Sequence, residues 1–183
     1  MLLRGIIIRK TETGEHNQLV AVYTKELGKI RVLAKSAKKN TSKQAGHLDF
    51  FNLVDFVIVP GKNYPIITQT RSLENFLGIK SSFTKVMAGF FILESFHRLV
   101  YEEERDGVLW DFLNEQLNIL NQTDKSEAQT MLADFKKGLL NVFGYHHNIG
   151  KEEIDYFLQS LSSQKFALLP YTRFDLGQIK VEP

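Results

Sequence analysis

Between residues 25 and 43 the chain carries seven cations, Lys25, Lys29, Arg31, Lys35, Lys38, Lys39 and Lys43, against a single acid, Glu26. Their spacing has a chemical meaning. Side chains alternate in an extended strand, so Lys29, Arg31, Leu33 and Lys35 share one face of segment 29–35 while Ile30, Val32 and Ala34 share the other. Three cations on one face, leading into a loop with three more, form a track that could neutralise a phosphate backbone and release its condensed counterions. Hydroxyls at Ser36, Thr41 and Ser42 are available for further phosphate contacts. The plain alternative is a solvated strand and loop. The charge distribution favours the track: residues 1–80 hold thirteen basic and six acidic side chains, a net +7, and residues 81–183 hold ten and fifteen, a net −5, so the overall +2 is a cancellation.

Nothing else in the sequence makes as strong a case for chemistry. Aromatic rings that could stack on bases are Tyr23, Tyr64 and one of Phe50, Phe51 and Phe56, with Tyr64 placed at a rim by the turn Gly61-Lys62-Asn63 and most of the phenylalanines expected in the core. His146-His147 are adjacent and so do not share a helical face, which makes them a poor metal pair. Glu102-Glu103-Glu104 with Asp106 reads as a solvated helix end sooner than a magnesium site. No glycine-rich phosphate loop is present, and the absence of cysteine excludes disulfides, thiolate zinc sites and cysteine nucleophiles. We therefore expect no catalytic residues, no metal and no cofactor.

Short strands must position the basic track. Segments 3–9, 18–24, 29–35, 50–59 and 64–76 are β-branched and aromatic and are separated by turn signals, including Glu26-Leu27-Gly28 and Pro60-Gly61-Lys62-Asn63. Five strands in about 75 residues suggest a small closed barrel of the OB type, with an SH3-like barrel or an open sandwich as alternatives. Beyond residue 80 the apolar period becomes helical: 86–93, 109–120, 126–143 and 151–161 carry buried stripes, Ser126 with Gln129 offers a capping box, and Gly144 a stop. The expected architecture is α+β, with an N-terminal five-stranded OB-type β-barrel over 1–80 and a C-terminal α-helical bundle over 81–183. No secretory signal is evident, and the longest apolar stretch, 86–93, is far below the roughly 20 residues of a membrane helix. These features suggest a cytoplasmic protein.

The runs Gly14-Glu15-His16-Asn17-Gln18-Leu19-Val20, Tyr23-Thr24-Lys25-Glu26-Leu27-Gly28-Lys29 and Ala34-Lys35-Ser36-Ala37-Lys38-Lys39 occur in the order and spacing of the amino-terminal domain of the bacterial recombination mediator RecO. Phe50-Phe51, Gly61-Lys62-Asn63 and Thr68-Gln69-Thr70 look like the rest of that barrel, and Leu139-Leu140-Asn141-Val142-Phe143-Gly144-Tyr145 resembles a helix end of the family's second domain. The resemblance covers 1–149. It implies a non-enzymatic repair factor of the RecF pathway, cytoplasmic and nucleoid-associated. Such a factor binds single- and double-stranded DNA, anneals complementary strands, associates with RecR, contacts the acidic tail of single-stranded DNA-binding protein and helps load RecA. On this sequence the implied DNA contacts are Lys29, Arg31, Lys35, Lys38 and Lys39, to which charge and position add Lys43 and Tyr64. An acidic tail with an apolar end would need a groove beside a cation, for which Arg98, Lys136 and Lys137 are candidates. The family's four-cysteine zinc module does not carry over, and the chain is short for the family beyond Gly150. Competing readings are an RNA-binding OB module in translation or ribosome assembly, and a protein adaptor.

Overall fold

A computed structural model of the chain describes residues 1–38, 42, 44–145 and 150–169. The chain divides into two compact units, Met1–Phe76 with Val100–Trp110, and Leu77–Leu99 with the residues from Asp111 onward.

Five strands form the first unit: β1 (Leu2–Thr13), β2 (Asn17–Thr24), β3 (Gly28–Ala34), β4 (Leu53–Val59) and β5 (Ile66–Glu74). They close into a barrel in the order β1-β2-β3-β5-β4, with β1 returning antiparallel to β4 and β3 meeting β5 in parallel at Leu33 and Ile66. That order with one parallel seam is the OB arrangement, so the SH3-like barrel and the open sandwich drop out. Alternation fills the interior: Val20 and Val22, Ile30, Val32 and Ala34, Val54 and Phe56, and Ile67 all point inward with Leu3 and Ile7. A register shift between Ile7 and Arg9 bends β1, and Ile6, Ile7 and Ile8 are all buried around it.

Three strand expectations need correction. Residues 10–13, polar enough to read as a loop, pair with 17–20 as an extension of the β1–β2 hairpin. A hairpin arm beyond the core has no face to bury, so it lacks the apolar signal. Phe50 and Phe51, read as the start of a strand, precede β4. Phe51 is buried with φ 71°, a left-handed conformation that a strand cannot continue through, and the fully buried Asn52 amide donates to the carbonyls of Gly46 and His47 instead. Tyr23 is not a free aromatic platform. It is fully buried and stacks against Trp110 with ring centroids 6.4 Å apart.

The helices are α1 (Leu77–Lys80), α2 (Phe83–Leu99), α3 (Gly107–Gln122), α4 (Ala128–Val142) and α5 (Lys151–Leu161). Asp106 caps α3, its Oδ1 accepting from the N–H groups of Val108 and Leu109 at 2.8 and 3.0 Å. Phe135 of α4 anchors the second unit's core, edge-on to Phe91 (6.1 Å) and stacked on Phe112 (5.7 Å). Gly144, at φ 84°, stops α4, with Tyr145 N–H donating back to Leu140. The Ser126 capping box does not form: Glu127 occupies the cap position and makes no side-chain cap bond, which leaves Ser126 one residue too early. Glu94 ties down part of the tail whose sequence has no clear period. Its carboxylate accepts from the N–H groups of Ala167 and Leu168 as well as from Arg98. Residues 170–183, and the pair His146-His147, lie outside the described residues. No described helix is long and apolar enough to cross a membrane, and no group of three or more His, Asp or Glu among the described residues could hold a metal.

Candidate nucleic-acid interface

OB barrels take ligands on the outer face of strands 2 and 3 and on the loops joining strands 1–2 and 4–5. Here the β2–β3 hairpin pairs Tyr23 with Lys29, Ala21 with Arg31 and Leu19 with Leu33 on that face. Gly28, at φ 70°, makes the tight turn, and the Thr24 hydroxyl stitches it by donating to the Gly28 carbonyl and accepting from Leu27 N–H.

At the turn end this face is covered. Residues 100–110 run alongside β3 as a strap, with a parallel bridge between Lys29 and Glu102 and a Glu103 N–H to Lys29 carbonyl bond of 2.8 Å. Gly28 permits the approach, since a Cβ there would collide with the Glu104 carbonyl. Lys29 is consequently buried, and its ammonium donates to the Val100 carbonyl. Burial lowers its pKa, with Glu102 acting in the opposite direction. Strand alternation does place Lys29 on this face, but the strap takes its side chain off the free surface. Next along, Arg31 donates from Nε and Nη2 to one Glu102 oxygen at 3.2 and 2.9 Å. Burial, with Asp106 and Glu104 nearby, also pushes the Tyr23 hydroxyl above its ordinary pKa. The acidic run 102–106 is therefore a structural strap that closes one end of the ligand face.

The other end is open. Lys35 and Lys38 follow β3 in a turn pinned to the β1–β2 loop: Ser36 N–H donates to the Asn17 side chain at 2.9 Å and Lys38 N–H to the His16 carbonyl at 3.1 Å. Lys35 is exposed, and Lys38 pairs with Glu12 at 2.8 Å with its side chain 29% exposed. The β4–β5 loop approaches from the opposite side, where Pro65 carbonyl accepts from Leu33 N–H at 2.7 Å. That bond sets the half-buried Tyr64 beside β3, its ring centroid 5.8 Å from the Arg31 guanidinium. Arg31, at the border of the strap, thus meets Tyr64, and Lys35 and Lys38 continue the face into the turn after β3, whereas Lys39 and Lys43 lie outside the described residues. Sequence reasoning missed the exposed Lys62, two residues from Tyr64 in the same loop; that shared turn was the available signal.

The three cations considered for an acidic tail are not equivalent. Arg98 bonds Glu94 at 2.7 Å and Gln164 at 3.0 Å, Lys136 is buried against Asp155 at 2.7 Å, and Lys137 is exposed.

Comparison with known proteins points to a single family. The family model described as "Recombination protein O N terminal" matches residues 1–76, the five strands. A DNA repair protein RecO of Dehalococcoides mccartyi is 32% identical over 142 residues, 78% of this chain and 55% of that protein. One from Roseiflexus is 31% identical over 141 residues, 77% of this chain and 49% of that protein. A third, from Alkaliphilus metalliredigens, is 24% identical over 140 residues, 76% of this chain and 56% of that protein. The chain spans about half the length of these relatives. The five-stranded barrel coincides with the residues that match the RecO amino-terminal model, and sequence similarity to DNA repair protein RecO continues into the helices, so the chain is similar to the RecO family over most of its length.

Proposed function

We propose that the chain is a non-enzymatic mediator of DNA repair and recombination whose barrel binds single- and double-stranded DNA through the phosphate backbone. The carrying observation is on the β2–β3 face of an OB barrel, where Arg31 lies over Tyr64 and the exposed Lys35 and Lys38 follow in the turn after β3. Cations on extended side chains neutralise phosphates without reading bases, so two bound strands are screened from each other while their base edges stay free to pair. That chemistry supports strand annealing. A base stacked on Tyr64 would add about 1–3 kcal/mol and orient the strand. Lys62 would extend the track, and Lys39 and Lys43 are further candidates by charge.

In this reading the barrel, residues 1–80, meets DNA, and the acidic helical part, residues 81–183, meets proteins. RecR and the acidic tail of single-stranded DNA-binding protein are the proposed partners, and loading recombinase onto strands coated by that protein in the cytoplasm, at the nucleoid, is the proposed role. Lys137 is the best placed of the three candidate cations for an acidic tail, because Arg98 and Lys136 already have carboxylate partners. The test is annealing of complementary labelled strands, bare and coated with single-stranded DNA-binding protein. Acceleration on both supports the proposal. A clear preference for RNA over DNA in competition would favour the RNA-binding module, and no acceleration with no DNA affinity at low salt would favour an adaptor.

A further inference from the structure

Helices α3 and α4 leave a groove of about 400 Å³ between them in the second unit. Its floor is apolar, with Phe112 and Ile119 from α3 and Met131 from α4. At one end α4 comes down onto Phe112, an approach that Gly138 allows: a Cβ there would lie 2.9 Å from the ring's Cε2. Ile119 is 41% exposed, so the apolar floor reaches solvent. The charged groups lining the groove are the exposed carboxylates of Glu127 and Asp134, which have no ion-pair partner among the described residues. The wider surface has the same sign. Between residues 111 and 142 the exposed side chains include five carboxylates and two lysines, and Lys136 is neutralised by Asp155.

We propose that this groove docks a cationic amphipathic helix of a partner protein. Two apolar side chains one turn apart would sit over Ile119 and Met131, and flanking Lys or Arg would meet Glu127 and Asp134. The volume sets the size of the occupant: about 400 Å³ lies near the small end of binding clefts, which run about 300–1,000 Å³, and suits a pair of side chains. Charge sets the kind of occupant. An acidic tail would be repelled here, so this surface is distinct from the one proposed for single-stranded DNA-binding protein.

Fluorescence anisotropy on the full chain tests the proposal, using a labelled helical peptide with a leucine stripe and lysine flanks beside the same peptide with glutamate flanks. The lysine peptide should bind, and the double change Glu127→Lys with Asp134→Lys should weaken it about tenfold, as for two reversed surface pairs. Ile119→Ser should weaken it too. All three positions are exposed, and circular dichroism melts check that the variants fold. Independently of any variant, a benzophenone replacing one leucine should crosslink to Met131. Lack of lysine-peptide binding, indifference to both variants, or a crosslink elsewhere would overturn the proposal. So would equal binding of the glutamate peptide at the same groove, or self-association of the chain that the double change abolishes, which would make a second copy the occupant.

Discussion

Replacing Glu102 by Ala should tighten binding to single-stranded DNA, which is unusual for a surface change. Glu102 holds Arg31 at 2.9 Å, and on the proposed track its carboxylate would take the place of a phosphate oxygen. The two side chains are 44% and 43% exposed, so the pair is screened and is worth about 0.5 kcal/mol to the free protein. Removing the acid also removes repulsion of an incoming phosphate a few ångströms away, about 1 kcal/mol at low salt. Together these give ~1–1.5 kcal/mol, or about five- to tenfold in Kd. One more cation becomes available to phosphate, so the slope of log K against log salt should steepen by about 0.7. The strap should remain in place, because the Glu103 N–H bond to Lys29 and the Lys29 bond to Val100 do not use the Glu102 side chain. The assay is anisotropy of a labelled oligothymidylate across a salt series, for the natural chain, Glu102→Ala, Arg31→Ala and the double variant. In the Arg31→Ala background the Glu102 change should gain clearly less. Unchanged affinity and slope in Glu102→Ala, with a loss in Arg31→Ala, would show that Arg31 reaches DNA without leaving the strap and would refute the competition argument.

Two further outcomes concern stability. Asp155→Asn should destabilise the chain by about 3 kcal/mol in urea unfolding followed by circular dichroism, because it removes the carboxylate charge 2.7 Å from the Lys136 ammonium, whose side chain is only 9% exposed; Lys136→Met with Asp155→Leu should cost much less. The Arg4 hydrogen bond, with help from Arg71, holds the Asp55 carboxyl below its ordinary 3.8. A carboxyl with a lowered folded pKa contributes stability that is fully present above its unfolded value and lost as pH falls through the folded one. The Tm advantage of the natural chain over Asp55→Asn should therefore be constant near neutral pH and shrink below about pH 3.8.

Much of the barrel could be read from local pattern because its rules are local. The alternation that buries Ile30, Val32 and Ala34 has period two, and the Gly28 turn follows from four consecutive residues. The helical stripes at Leu113, Leu117 and Leu120, and the Gly144 stop, are equally local. What could not be read depends on distant contacts. Lys29 is spaced like its neighbours Arg31 and Lys35, and only a strap about seventy residues downstream distinguishes it by burying it. Closure through Leu33 and Ile66 has no period to betray it. Tyr23 and Tyr64 are alike in composition, yet one stacks on Trp110 in the interior and the other is held at the loop by the Pro65 carbonyl. The cation candidates divide likewise, since Lys136 and Lys137 are adjacent in sequence and only one faces Asp155.

The central claim, a backbone-directed DNA track at the open end of the β2–β3 face, is tested most directly by the salt dependence of single-stranded DNA binding in the triple variant Arg31→Ala, Lys35→Ala, Lys38→Ala. The slope of log K against log salt should become shallower by about 2, roughly 0.7 for each cation, with similar losses on oligonucleotides of different sequence. A slope and affinity equal to those of the natural chain would contradict the account.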